Sequence, residues 1–144
     1  MDAAEELVVF LSSGEKLALG LTEVRELLQY GTVTPVPGAR EWIRGLANRR
    51  GQVMPVVDLA RCLGLPPAAV TARTCILVLD LAVEGCPTAV GLAIDDVLDV
   101  VSLGRQRIES APNLGLPIPP DRIRGVARFR EGVVSVLDPE RLLA

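Results

Sequence analysis

A stretch near the middle of the chain is written a second time near the C-terminus, and this repeat constrains the fold more than any other feature. Residues 43–63 and 123–143 align without a gap at a separation of 80 positions, and ten of the twenty-one aligned pairs are identical. The identical pairs include an Ile-Arg-Gly triplet at the start and an aspartate at Asp58 and Asp138. A repeat of this length implies two similar structural units within one chain.

Each copy of the repeat predicts a β-hairpin followed by a short helix. Two Val-rich apolar segments flank a turn that contains Gly51 in the first copy and Glu131-Gly132 in the second. Glycine reaches the positive φ that a tight turn needs, and Val-rich flanks suit a pleated, half-buried surface. Asp58 and Asp138 stand where a carboxylate can accept hydrogen bonds from the free N–H groups of a helix that begins at the next residue.

A weaker repeat precedes each hairpin, because residues 18–27 resemble residues 91–100. We therefore divide the chain into two β-rich halves that join near residues 65–74. A first barrel is expected mainly from residues 16–70 and a second mainly from residues 74–138, with terminal segments that can exchange between them. Closure into barrels removes the exposed strand edges that would otherwise recruit other chains.

The remaining segments predict an all-β protein of about ten short strands at hairpin spacing, with a few short helices. Residues 22–28 fit either a short helix or a bent strand, since a short apolar run does not settle that choice. One helical turn at 39–43 is expected to place Trp42 against the core. The polar, Gly- and Pro-rich segment 104–120 predicts a surface loop with an extended middle at 107–110. The other predicted strands are 7–11, 16–21, 74–81, 88–94 and 97–103, and the predicted helices are 59–63 and 140–143.

The composition fits a single domain over residues 1–144. Hydrophobic residues make up 49% of the chain but only 3% are aromatic, so the core must be built from Val, Leu, Ile and Ala. The net charge of −3 argues against a protein that binds the nucleic-acid backbone. No apolar run approaches the roughly 20 residues of a membrane-spanning helix, and the acidic N-terminus does not resemble a signal peptide. We expect a cytoplasmic protein without direct membrane insertion.

Little in the sequence supports catalysis. The chain has no histidine, the commonest general base and metal ligand at neutral pH. It also lacks the Gly-rich phosphate-binding and dinucleotide-binding motifs. The three cysteines, Cys62, Cys75 and Cys86, are odd in number and widely spaced, which favours buried reduced thiols over a disulfide or a zinc site. We therefore expect neither an enzyme nor a cofactor or metal.

A series of short motifs runs in a fixed order along nearly the whole chain. In the first half these are Val9-Phe10-Leu11, Glu15 to Leu19, Val24 to Leu27, Val33 to Pro37, Ile43-Arg44-Gly45, Asn48 to Gly51 and Met54 to Leu59. In the second half they are Val90-Gly91-Leu92, Asp95-Asp96-Val97, Ile123-Arg124-Gly125, Leu137-Asp138 and Leu142-Leu143. The ordered set resembles the CheW-like coupling-protein family of bacterial chemosensory systems.

That resemblance implies a fold and a role. The fold would be two intertwined five-stranded SH3-like β-barrels around a hydrophobic core and cleft. The role would be that of a non-catalytic adaptor in a system that controls motility. Such an adaptor links the cytoplasmic signalling tips of chemoreceptors to the regulatory domain of a CheA-type histidine kinase. An alternative within the family is an accessory adaptor that binds the receptor but not the kinase.

The resemblance also implies two sets of contact residues. Glu26 and Arg50 match a Glu and an Arg that are expected to pair near the receptor groove. The remaining receptor positions are apolar or small: Val24, Leu27, Gly91, Val97 and Val100. The expected kinase contacts in the first barrel are Val33, Val36 and Gly45. Each set also has a purely structural interpretation. The valines are suited to a hydrophobic core, and the charged residues could form an ordinary surface ion pair. The glycines could serve turns or close strand packing.

One position departs from the family pattern. The residue before the Arg-Gly of Asn-x-Arg-Gly is usually apolar, and here it is Arg49. A charge there is expected to alter a contact surface. Outside the adaptor class, a small-ligand-binding barrel and a nucleic-acid-binding barrel stay open by analogy of fold. Barrel faces rich in Val and Leu also leave self-association open.

Overall fold

The computed structural model describes residues 4–83, 85–104, 108–109, 118–130 and 132–143. The described residues form ten strands and one α-helix, α1 (Leu59–Cys62), with short 3₁₀ helices at Leu21–Glu23, Pro120–Arg122 and Pro139–Arg141. The strands are β1 (Ala4–Ser12), β2 (Glu15–Gly20), β3 (Val24–Gln29), β4 (Ile43–Arg49), β5 (Gln52–Asp58), β6 (Cys75–Val83), β7 (Cys86–Ile94), β8 (Asp96–Gly104), β9 (Ile123–Phe129) and β10 (Gly132–Leu137). The prediction of an all-β class with a few short helices is confirmed.

The strands form two five-stranded sheets. One, the terminal sheet, has the order β8-β1-β2-β10-β9, and the other, the central sheet, has the order β3-β6-β7-β5-β4. Neighbouring strands are antiparallel except for one pair in each sheet. The parallel pair is β2 and β10 in the terminal sheet, and β5 and β7 in the central sheet. The two sheets therefore have the same topology, as the sequence repeat implies.

The sheets do not follow the predicted division into residues 16–70 and 74–138. Strands β6 and β7 belong to the central sheet, and β2 belongs to the terminal sheet. The reason is that the chain changes sheet inside each half. It steps from the terminal to the central sheet through the single 3₁₀ turn Leu21–Glu23, and back through Asp95. Each half therefore gives a hairpin to one sheet and three strands to the other.

The repeated Ile-Arg-Gly triplet forms a β-bulge in both sheets. Ile43 pairs with Val57 and Gly45 with Val56, so Arg44 between them has no partner opposite. The equivalent arginine in β9 is skipped in the same way, between the pairs formed by the flanking isoleucine and glycine. A bulge kinks its strand and strengthens its twist, which lets a five-stranded sheet curl.

The glycine of the triplet allows another segment of backbone to come close. Thr34 and Leu46 exchange two backbone hydrogen bonds of 2.9 Å directly beside Gly45. A Cβ built on Gly45 would lie 2.2 Å from the carbonyl oxygen of Thr34, a distance that no side chain tolerates. In the second copy a Cβ on Gly125 would lie 2.2 Å from the carbonyl oxygen of Glu109. The triplet therefore encodes a bulge followed by a close backbone contact.

The predicted caps are confirmed. Asp58 accepts a hydrogen bond of 3.3 Å from the N–H of Arg61 at the start of α1. Asp138 accepts one of 3.2 Å from the N–H of Glu140. The second helix is a 3₁₀ turn, Pro139–Arg141, rather than the predicted 140–143.

Of three other local predictions, the structure resolves one that was left open, contradicts one in part and covers one only in part. The choice left open at 22–28 is resolved as the 3₁₀ turn Leu21–Glu23 followed by strand β3. No helix forms at 39–43, where the chain makes turns, although Trp42 does pack against the core. Of the predicted extended stretch at 107–110, Glu109 pairs with Val126, while residues 107 and 110 lie outside the described part of the chain.

Buried apolar side chains of the described residues form three clusters. The largest lies between the two sheets and includes Phe10, Leu77 and Leu137. A second lines the terminal sheet around Phe129, and a third lines the central sheet around Met54. Leu, Val, Ile and Ala supply most of these side chains, as the composition predicts. In the described part of the chain, no helix is long and apolar enough to cross a membrane.

The cysteines are all free, but they are not all buried as predicted. Cys86 is exposed at the start of β7, directly opposite Val83 across the tip of the β6–β7 hairpin. Cys62 and Cys75 are partly buried. Consecutive residues on both strands of this tip are exposed, Ala82 and Val83 on β6 and Cys86 and Pro87 on β7, so the tip extends beyond the core and exposes the cysteine.

Alkylation is expected to separate Cys86 from Cys62. Burial raises the pKa of the Cys62 thiol to about 11, so very little of it is the reactive thiolate at about pH 8. An alkylating reagent on the native protein should therefore modify Cys86 first and Cys62 only after unfolding, as peptide mass spectrometry can show. The variant Cys86→Ser should lose the fast phase, and rapid native labelling of Cys62 would contradict its described burial.

Candidate functional site

The family resemblance predicted that Glu26 and Arg50 form a pair, and the structure places their side chains in contact. Glu26 lies on β3 and Arg50 follows β4, which are the two edge strands of the central sheet. The Arg50 Nη2 lies 3.4 Å from Glu26 Oε1. An ion pair between the two edges requires the sheet to curl until its first and last strands approach each other.

Arg49, not Arg50, is the main partner of Glu26. Its Nε donates a hydrogen bond of 2.9 Å to Glu26 Oε2, and its Nη2 lies 2.7 Å from the same oxygen. Only 13% of the Arg49 side chain is exposed, against 76% for Arg50. The hydrogen bond from Arg49 is the largest cause that lowers the pKa of the Glu26 carboxyl below its ordinary value of 4.5. The ionised carboxylate therefore stabilises the fold above about pH 4.5, and that contribution is lost as the pH falls through the lowered pKa.

The turn that carries Arg50 is tight. Arg50 and Gly51 have φ values of 53° and 79°, the left-handed pair that a two-residue hairpin turn requires. The side chain of Asn48 accepts a hydrogen bond of 2.9 Å from the Gly51 N–H and so braces the turn. Positive φ is unfavourable for arginine, so the turn holds this side chain at the tip at a local conformational cost.

Exposed apolar side chains follow both partners of the ion pair along the chain. Leu27 on β3 is 53% exposed, and Val53 on β5, just after the turn, is 69% exposed. We call Glu26, Leu27, Arg49, Arg50 and Val53 the edge surface. A surface of large exposed apolar side chains beside a charged pair is suited to binding another protein.

The terminal sheet carries an equivalent arrangement. Asp99 on β8 corresponds to Glu26 through the weaker repeat, and Arg130 after β9 corresponds to Arg50. The Arg130 Nη2 lies 3.9 Å from Asp99 Oδ2, and Arg130 also has a positive φ of 55°. The exposed Val100 and Val133 take the places of Leu27 and Val53. The sequence repeat is therefore reflected in the surface side chains of the two sheets as well as in their topology.

The other predicted contact residues are distributed between surface and interior. Val100 and Val36 are exposed, in line with a contact role. Val24, Val97 and Val33 are partly buried against the cores, and Gly91 and Gly45 are buried. A Cβ on Gly91 would lie 2.6 Å from a methyl group of Ile76, so this glycine serves internal packing. The structure thus brings Glu26 and Arg50 together, leaves Leu27 exposed next to Glu26 in the chain, and places the two glycines inside.

A separate apolar cavity of about 450 Å³ opens beside Trp42. Its lining includes Pro55, Val57, Val90 and Leu143, with none of the residues of the edge surface. The Arg40 guanidinium lies 5.9 Å from the centroid of the Trp42 ring. Over the residues that the structure describes, no group of three or more His, Cys, Asp or Glu side chains could hold a metal ion.

Two curled sheets that present arginine–carboxylate pairs among exposed apolar side chains define a protein-interaction module. A family model, the CheW-like domain, matches residues 6–144. The chain belongs to the CheW-like domain family.

Individual relatives agree with that membership. The chain is 30% identical over 140 residues to the chemotaxis protein CheW of Bacillus subtilis, which covers 96% of this chain and 86% of that protein. It is 31% identical over 145 residues to protein FrzA of Myxococcus xanthus, covering 96% and 85% respectively. The crystal structure of the scaffolding protein TtCheW from Thermoanaerobacter tengcongensis superposes with a TM-score of 0.87 at 24% identity, over 100% of this chain and 89% of that one. This likeness shows the fold.

Proposed function

We propose that the chain is a non-catalytic adaptor that couples the cytoplasmic tips of chemoreceptors to a CheA-type histidine kinase. The observation that carries this proposal is the family match over residues 6–144, together with relatives that are themselves chemotaxis proteins. A scaffold in such a system acts where receptors cluster, at the cytoplasmic side of the membrane. The protein contributes binding surfaces and relative orientation rather than chemistry.

The edge surface is the proposed receptor contact. Receptor signalling tips are helical hairpins, and a helix can lay its apolar side against exposed apolar residues such as Leu27 and Val53. The exposed Arg50 supplies a charge at the border of that contact. Val100, at the equivalent place on the terminal sheet, extends the set of exposed apolar candidates.

The proposed kinase contact lies on the segment between β3 and β4. Val36 in this segment is exposed, and Thr34 in the same segment is fixed by its two hydrogen bonds to Leu46. Val33 is partly buried and Gly45 is buried, so they act on this contact by shaping the segment that presents Val36. A rigid, exposed loop on a sheet edge is a suitable docking element for a regulatory domain of related fold.

The test is co-elution with each partner separately. The purified protein is run by size exclusion with a receptor signalling-tip fragment and, independently, with the regulatory domain of its kinase. Binding to both is the expected result. Binding to the receptor fragment alone would indicate an accessory adaptor, and binding to neither would refute the coupling role. Multi-angle light scattering on the protein alone controls for self-association.

A further inference from the structure

Two adjacent arginines of the edge surface occupy very different environments. The Arg49 side chain is nearly buried and places two guanidinium nitrogens within 2.9 Å of Glu26 Oε2. The Arg50 side chain is largely exposed, and its Nη2 donates only a long hydrogen bond of 3.4 Å to Oε1, against the usual 2.7–3.2 Å. The carboxylate of Glu26 is thus held mainly by one arginine and only loosely contacted by the other.

The second copy of the repeat shows the same site without the extra arginine. The residue equivalent to Arg49 is Phe129, which is buried in the core of the terminal sheet. Arg130 lies 4.7 Å from the centroid of the Phe129 ring and 3.9 Å from the carboxylate of Asp99. Within the described residues, this acid has the arginine of the turn as its ion-pair partner. An apolar residue at this position thus leaves the exposed arginine as the described ion-pair partner of the acid, although at 3.9 Å, farther than the 3.4 Å between Arg50 and Glu26.

We propose that Arg49 is a positioning residue that holds Glu26 and thereby leaves Arg50, which Glu26 holds only weakly, available to bind a carboxylate of the partner. This inference rests on the proposed function, because the partner is the receptor helix expected at the edge surface. With Glu26 occupied, the turn offers an exposed guanidinium, and exposed apolar side chains follow Glu26 on β3, at Leu27, and Arg50 on β5, at Val53. The matching chemistry is a helix with an apolar stripe and a Glu or Asp at its border.

The proposal is tested by replacing Arg49 with an apolar residue, the class of residue found at the equivalent position of the second repeat. In Arg49→Leu the carboxylate of Glu26 becomes available to Arg50, which should move onto it. We expect binding of the receptor-tip fragment, measured by isothermal titration calorimetry, to weaken about two- to fivefold, the scale of one exposed ion pair. The pKa of Glu26, followed by NMR of its side-chain carboxyl, should rise only part of the way to its ordinary value, because Arg50 replaces part of the interaction lost with Arg49. Arg50→Ala should weaken binding at least as much while raising that pKa less.

A rescue variant separates positioning from a general structural role. In Glu26→Gln combined with Arg49→Leu, no carboxylate remains to capture Arg50, so binding should be stronger than in Arg49→Leu alone. A variant that merely damaged the fold would not recover in this way. Arg73→Leu removes one positive charge from an exposed arginine outside the edge surface, so it controls for the change in net charge and should leave both readouts unchanged.

The possible negative results of these binding and pKa measurements refute different parts of the proposal. If the native protein binds the fragment but Arg49→Leu binds equally well, or if the double variant stays weak, the positioning role is refuted and the proposed function stands. If Arg50→Ala raises the pKa of Glu26 more than Arg49→Leu does, the assignment of the two arginines is refuted. If the native protein does not bind the fragment, the proposed function fails and this inference fails with it.

Discussion

Replacing Gly45 by alanine is expected to lower the free energy of unfolding by about 3 kcal/mol, the upper range of overpacking in a close-packed interior. The new Cβ would lie 2.2 Å from the carbonyl oxygen and 2.6 Å from the carbonyl carbon of Thr34. Both atoms are backbone, so neither can swing away as a side chain could. Relief requires the two hydrogen bonds between Thr34 and Leu46 to stretch or break. Urea denaturation at constant m-value measures the loss.

Gly31→Ala is the control for this experiment. A Cβ at Gly31 meets no atom within 4 Å, and its φ is not in the left-handed region. The control should therefore keep the native stability or gain slightly from lower chain entropy in the unfolded state. Equal stability of the two variants would contradict the close backbone contact. The equivalent change at Gly125 should repeat the loss seen at Gly45, because its Cβ also meets a carbonyl oxygen at 2.2 Å.

Reversing the charge of Arg50 is expected to have the largest effect on binding. In Arg50→Glu, affinity for the receptor-tip fragment should fall by roughly 30-fold or more, because like charges juxtaposed across an interface cost several kcal/mol. The new carboxylate would face both Glu26 and the acidic group expected on the partner. Isothermal titration calorimetry at two ionic strengths measures the loss, which should shrink at high salt as charges are screened.

Arg73→Glu is the matched control for that reversal. Arg73 is 80% exposed, similar to Arg50, but lies on the loop before β6 and pairs with Asp96. The control makes the same change in net charge at a different place, and affinity should stay within about twofold of native, as for other exposed ion pairs. An equal loss in both variants would assign the effect to overall charge and contradict a localised receptor contact.

The local structure of the repeat could be predicted because its physics is local. A glycine-containing turn between Val-rich segments predicts a hairpin, and an aspartate before a helix predicts a cap, since both depend on residues a few positions apart. The capping by Asp58 and Asp138 follows that logic. The need for glycine in the Ile-Arg-Gly triplet could not be predicted in this way. The carbonyl group that excludes a side chain at Gly45 belongs to Thr34, which is eleven positions away in the sequence and comes close only in the folded sheet.

The distribution of strands between sheets could not be derived from the repeat. Two similar halves are compatible with two separate barrels or with sheets that draw on both halves. The outcome depends on where the chain crosses, and the crossings are as short as Leu21–Glu23. Such a turn carries no strong sequence signal, because a short apolar run fits a helix or a bent strand equally well.

The candidate site was only partly predictable. The family pattern paired Glu26 with Arg50, but the stronger partner, Arg49, was visible only as a departure from that pattern. Its contact joins the two edges of the central sheet, so it depends on how far the sheet curls. Valine is common in cores and in interfaces alike, and only the structure separates the exposed Val100 from the partly buried Val24 and Val97.

The coupling role is tested most directly by asking whether the protein recruits the kinase to receptors. Vesicles that carry receptor signalling tips are sedimented with the kinase, with or without this protein. The account predicts that the kinase sediments with the vesicles only when the protein is present, and that Arg50→Glu abolishes this recruitment. Kinase that sediments equally well without the protein, or that stays in the supernatant despite it, would contradict the coupling role.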